Sequence, residues 1–212
     1  MNKSAKKAIG LIIFLAIFAW GIRDGYSRFS SILYQPKSMV FYDYQPGEIG
    51  EIRHFDQNDK AIGIPILMYH GVVNHQDSEN TLLDNFVKTM ERLKKEGYQS
   101  VSIDELVQFH QGKFDLPARP IIITFDDGRK DSYYPVDKVL EKLGFKATIF
   151  VATNRANRND PFYLTWDELK KMHESGRWNI QAHGRDSHNT IQISENGEMG
   201  KFMNSREYMW VS

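Results

Sequence analysis

The run Pro120 to Phe125 (PIIITF) has no alternating polar face, so a strand built from it must be covered on both sides. Helices laid on both faces of a parallel sheet provide that cover, and the chain around it contains them. Ile64 to Tyr69 (IPILMY) reads as a first buried strand. Leu82, Leu83, Phe86, Met90 and Leu93 then fall at helical spacing, with Lys94 and Lys95 in the last turn and Gly97 just past the cap. Gln99 to Ser102 is the second strand, and Ser102 to Glu105 has the Ser-x-x-Glu form of a capping box. After the third strand, Pro120 to Phe125, a helix runs from Tyr133 to its stop at Gly144. Lys146 to Val151 is the fourth strand. Thr165 to Glu168 forms another capping box ahead of WDELKKMHESG, and Trp178 to His183 is the fifth strand. Strand alternating with helix predicts an α/β domain over residues 61–212, and such folds bind ligands beyond the C-terminal ends of their strands.

The N-terminus differs. Lys3, Lys6 and Lys7 precede fifteen uncharged residues, Ala8 to Ile22, ended by Arg23 and Asp24. A basic flank followed by so short an apolar run, against the roughly 20 residues that span a bilayer, fits a signal segment. Ala19-Trp20-Gly21 is a poor cleavage site because of its bulky centre, which favours an uncleaved anchor helix over residues 1–23. The lysines would keep the N-terminus inside, placing the remainder outside the cell membrane, or secreted if cleavage occurs. Residues 24–60, with two Gln-Pro pairs and no sustained period, read as a stalk that partly packs on the domain, an edge strand being the other reading. Lys+Arg and Asp+Glu both number 27, so no global field attracts nucleic acid. The absence of cysteine leaves only His and carboxylate to hold a metal.

Several ionisable residues fall at strand ends. Asp126 and Asp127 follow the third strand, His70 the first, and His183 the fifth, with His188 five residues later. Neighbouring residues of a strand face opposite ways, so two adjacent aspartates serve one site only where the chain bends, and Gly128 permits that. Asp127 with His183 and His188 makes a two-His, one-carboxylate set suited to Zn²⁺ or a similar divalent ion with an open position. The remaining carboxylate is then available as a general base towards water acidified by the ion. Each feature also has a plainer explanation: Asp-Asp-Gly is common turn composition, the histidines suit polar loops, and His70 can simply donate to a backbone carbonyl. Arg129 and Lys130, beside the motif, read as solvated.

Together, ITFDDG (Ile123 to Gly128), PILMYHGV (Pro65 to Val72), KATIFV and the later His pair resemble the polysaccharide deacetylases of the NodB-homology type, carbohydrate esterase family 4. The resemblance runs from Ile64 to about Thr190. It implies a distorted (β/α) barrel, Asp126 as general base, and Asp127, His183 and His188 as metal ligands, with Zn²⁺ first and Co²⁺, Ni²⁺ or Fe²⁺ as alternatives. His70 would lie against substrate. Four residues separate His183 from His188, a spacing similar to the branch that de-N-acetylates poly-β-1,6-N-acetylglucosamine, a biofilm exopolysaccharide.

The resemblance is incomplete. Only 24 residues follow His188, none of them His, and the family's later Arg-Pro, Asp/Trp and Leu-x-His motifs are not among them. We therefore expect an incomplete barrel. An inactive, glycan-binding remnant is the alternative, and a metal-dependent phosphoesterase is a second one, disfavoured for lack of a phosphate clamp.

Overall fold

The computed structural model describes residues 40–56, 63–75, 79–158, 160–185, 190–194 and 196–201. The chain divides into two compact units, Met1–Pro36 and Lys37–Ser212. The first, with the anchor expected over residues 1–23, lies outside the described residues, as does His188. Among the described residues no helix is long and apolar enough to cross a membrane.

The second unit is built on a five-stranded parallel sheet. Strands β1 (Ile66–Tyr69), β5 (Pro120–Phe125), β6 (Ala147–Val151) and β7 (Trp178–Ala182) lie side by side in that order, and β4 (Gln99–Ser100) joins the start of β5. Pairs β2 (Val72–Val73) with β3 (Thr81–Leu82) and β8 (Thr190–Gln192) with β9 (Met199–Lys201) stand apart from it. Among the described residues the sheet is open, β1 pairing only with β5 and β7 only with β6, and no closed barrel is formed by them.

The helices form where the apolar spacing placed them. In α1 (Leu83–Lys95) Leu83, Phe86 and Met90 are buried on one face. Its end is a Schellman motif: Gly97 N–H donates to Lys94 and Tyr98 N–H to Leu93, with Gly97 at φ 77°. Both capping boxes are present. Ser102 opens α2 (Ile103–His110) against Glu105, and Thr165 opens α5 (Trp166–Glu174) against Glu168. Between them come α3 (Asp137–Leu143) and the short α4 (Thr153–Asn157), which the sequence pattern did not announce.

The core follows from the strand patterns. All six residues of β5 are buried, and Phe125 contacts the rings of Tyr69, Phe86 and Trp178. β1 departs from expectation: Ile66 and Met68 are 58% and 64% exposed, because that edge strand is covered on one face only. The segment 40–56 contains no strand and packs through its aromatic rings. Tyr44 is buried and its hydroxyl donates to Glu91 at 2.7 Å, while Phe41 meets Tyr133 and Tyr134 at 5.3 and 5.0 Å.

Candidate active site

Asp126 is still part of the sheet, its N–H donating to the Tyr69 carbonyl at 2.9 Å in the last rung between β1 and β5. The bend comes next. Asp127 and Gly128 are both left-handed, at φ 72° and 73°, and Asp127 is the one non-glycine with positive φ among the described residues. An L-residue adopts that conformation at a cost of about 1–2 kcal/mol, which places local strain at the carboxylate itself. The Ala152 N–H donates to the Asp127 carbonyl at 3.3 Å. The chain then runs beside 162–164, with Leu164 N–H on the Gly128 carbonyl at 2.9 Å and Lys130 N–H on the Phe162 carbonyl at 3.0 Å. Gly128 also has a packing reason, since a β-carbon there would lie 3.0 Å from Val151 Cγ1.

His183 arrives from the other side. Its N–H donates to the Val151 carbonyl at 2.8 Å, the last rung between β6 and β7, and the Gly184 and Arg185 carbonyls accept from Thr153 and Asn154 of α4 at 3.1 Å each. These bonds bring His183 Nε2 to 3.6 Å from Asp127 Oδ1. A tetrahedral ion bonded at about 2.0–2.1 Å separates its donors by about 3.3 Å, so a carboxylate oxygen and an imidazole nitrogen at this spacing fit two corners of such a site. Among the described residues no group of three ligands occurs. The structure thus brings together Asp127 and His183, with Asp126 beside them in sequence. His70, half-buried at the end of β1, is tied down through its carbonyl, which accepts from Ser132 Oγ at 2.6 Å.

The basic pair beside the motif corrects the sequence reading. Arg129 and Lys130 are not solvated: their side chains are 11% and 10% exposed. Arg129 forks onto Asp131 through Nε and Nη2 at 2.9 and 2.6 Å, and Lys130 lies 3.4 Å from Glu168. Burial works against the Arg129 charge, but the bonds and charge of Asp131 and the charge of Asp127 outweigh it and hold its pKa above the ordinary value. Burial raises the nearby Tyr163 phenol, Arg155 opposing and Asp127 reinforcing, so this group stays a neutral O–H at neutral pH. Only the Asp-x-Arg-x-Asp spacing of Asp127, Arg129 and Asp131 hinted at such a pair.

The neighbourhood of the strand ends is therefore a bent Asp-Asp-Gly turn facing a histidine. Residues 113–209 match the family model described as polysaccharide deacetylase. Over those residues the chain is similar to the polysaccharide deacetylases. YxkH of Bacillus subtilis, whose name places it among polysaccharide deacetylases, is 31% identical over 130 residues, covering 61% of this chain and 45% of its own length. A poly-β-1,6-N-acetyl-D-glucosamine N-deacetylase of Staphylococcus epidermidis is 29% identical over 126 residues, 58% of this chain and 42% of that one. The chain thus spans less than half the length of these curated relatives. A solved de-N-acetylase from Aggregatibacter actinomycetemcomitans shares the fold, with a TM-score of 0.61 at 22% identity over 69% of this chain and 64% of that one.

A cavity of about 840 Å³ lies elsewhere on the second unit. Its lining includes Gln99 and Ser100 of β4, with Gly144 and Lys146 just before β6, at the starts of the strands. Parallel sheets bind their ligands at the opposite end, where the Asp-Asp-Gly turn sits.

Proposed function

We propose that this chain hydrolyses N-acetyl groups of a cell-surface polysaccharide, poly-β-1,6-N-acetylglucosamine being the substrate its relatives' names favour. The observation that carries the proposal is the approach of Asp127 Oδ1 to His183 Nε2, 3.6 Å apart at the strand ends, directly after Asp126. Asp127, His183 and His188 would hold a divalent ion, Zn²⁺ by the borderline character of the donor set, and such an ion when bound polarises the acetyl carbonyl and acidifies water.

The chain's own groups do the remaining work. Asp126 accepts the proton of the attacking water as its oxygen bonds to the acetyl carbon. The carbon–nitrogen bond then breaks as the sugar nitrogen takes up the proton that Asp126 accepted, and acetate leaves a free amine behind. The turn presets this arrangement, because Asp126 is held by the β1 ladder and Asp127 by the left-handed bend. The phosphoesterase alternative loses its basis: Arg129 and Lys130 are engaged by Asp131 and Glu168, whereas a phosphate clamp needs cations facing the ligand. The proposal also includes a distorted (β/α) barrel of the NodB-homology type, and residues 1–23 as an anchor or signal segment placing the domain outside the membrane.

Acetate release from poly-β-1,6-N-acetylglucosamine oligomers by the full chain with Zn²⁺ or Co²⁺ tests this. We expect release that falls at least about 100-fold in Asp126→Asn and in His183→Ala. Polymer binding without release would instead make the chain a glycan-binding remnant, and neither would remove the polysaccharide from the account.

A further inference from the structure

Trp166 is 49% exposed, whereas Trp178 of the same unit is 2% exposed and lies in the core. Tryptophan is mostly buried in folded chains, so an exposed one leaves a large apolar surface without protein contact. The ring is nevertheless held. Its Nε1–H donates to Asn157 Oδ1 at 2.8 Å, which joins the first residue of α5 to the last of α4. An indole N–H can only donate, so the Asn157 oxygen faces the ring nitrogen and the amide N–H pair turns elsewhere. Asn157 is itself exposed, and among the described residues that N–H pair has no acceptor.

Both ends of this bridge belong to the elements that build the proposed active site. The first two residues of α4 donate to the Gly184 and Arg185 carbonyls, directly after His183. α5 follows the segment whose Leu164 N–H bonds the Gly128 carbonyl, and Trp166 stands two residues further on, at most about 7 Å of backbone. Side chains on a helix tilt towards its N-terminus, so the ring of the first helical residue projects towards the strand ends. A fixed aromatic face with amide donors beside it is suited to a sugar. The ring covers the C–H face of a pyranose, and the amide N–H groups meet its hydroxyl or acetamide oxygens. Because the ring is already held, little freedom is lost when a ligand arrives.

We propose that Trp166 and Asn157 form a subsite for an N-acetylglucosamine ring next to the one that loses its acetyl group. The proposal rests on the polysaccharide reading above and deepens it, giving the chain a reason to prefer a polymer over a single sugar. Trp166 stands beside the Asp-Asp-Gly turn and not at it, so the ring it takes is a neighbour along the polymer. The aromatic face is the essential part: a side chain of similar bulk without a π-surface does not replace it.

The test is calorimetric binding of a poly-β-1,6-N-acetylglucosamine pentasaccharide to the full chain carrying Asp126→Asn to prevent turnover, with thermal melting and Co²⁺ affinity of each variant alongside. Added to that parent, Trp166→Ala should weaken binding by about 3–10-fold, the scale of one aromatic stacking contact. Trp166→Phe keeps a ring and should stay within about twofold of the parent. Trp166→Leu keeps apolar bulk alone and should bind as weakly as Trp166→Ala. A purely structural role predicts rescue by Leu as well as by Phe. A folded Trp166→Ala with unchanged affinity, or a folded Trp166→Leu that binds like the parent, overturns the proposal. Should Trp166→Ala fail to fold, the Phe and Leu variants decide between the same outcomes. Loss of Co²⁺ binding together with the oligosaccharide marks a collapse of the strand ends and counts against the subsite. A parent that binds no oligosaccharide, with a wild type that releases no acetate from it, overturns the polysaccharide reading together with this one, whereas parent binding unaffected by Trp166→Leu overturns this one alone.

Discussion

The aspartate and histidine halves of the site stand on strands of different kind. β5 (PIIITF) is buried at every position and paired on both sides, whereas β7 (WNIQA) alternates and, among the described residues, pairs on one side only. Trp178 and Ile180 of β7 belong to the core, while Asn179 and Gln181 turn to the opposite face, where their side-chain amides donate to Asp104 at 2.5 and 2.9 Å. Placement of the carboxylates is thus over-determined by core packing, the bend at Asp127 and the buried ion pairs behind it. Placement of His183 involves a ladder rung to Val151 and, through the next two residues, bonds from α4. A strained conformation persists only where its surroundings enforce it, and β5 is the strand able to do so.

That contrast is exposed to several tests, beginning with the largest effect. Phe125→Ala should destabilise the domain by about 3–5 kcal/mol, and Ile180→Ala on the half-buried strand by less than about half of that, both read from chemical denaturation. Equal costs would break the comparison. Gly128→Ala should cost about 1–3 kcal/mol, since it combines a left-handed φ with the 3.0 Å approach to Val151, and it should also weaken cation binding. Gly176→Ala is the control, with φ 70° but no atom within 4 Å of the added carbon. Its cost should be about 1 kcal/mol with binding intact. Asp127→Gly should abolish cation binding while stabilising the metal-free protein by up to about 1 kcal/mol, a sign that melting curves would reverse if no strain resides there.

The smallest effect concerns pH. Burial alone would raise the Glu168 carboxyl, but the Thr165 backbone N–H, the Tyr134 and Thr165 hydroxyls and the Lys130 charge outweigh it and lower its pKa below the ordinary 4.5. A carboxyl depressed in the folded state contributes stability that is fully present above 4.5 and is lost as pH falls through the folded value. Glu168→Gln should therefore flatten the acid limb of stability below pH 4.5 and leave the neutral region with the same slope, as followed by urea midpoints.

Much of this was legible because the signals are local. PIIITF had to be a covered strand, Gly97 and Gly144 had to end helices, and Ser102 and Thr165 had to begin them. All of these are decided within a few residues by backbone sterics and by the hydrogen-bonding needs of helix ends. The placement of Asp126, Asp127 and His183 at strand ends followed from the same periodicity. The structure alone decided which of those groups meet, since the distance from Asp127 to His183 depends on the order of β5, β6 and β7. It also decided that Ile66 and Met68 lie on an uncovered face of an edge strand, and that Arg129 and Lys130 are buried. No run of residues states the partner of a charge: Arg129 beside Asp131 is compatible with a solvated loop until Phe162 and Gly71 close over the pair from distant parts of the chain. Sequence by itself determined the elements and which residues stand at their ends. Tertiary structure decided burial and pairing, because those are set by neighbours that are remote along the chain.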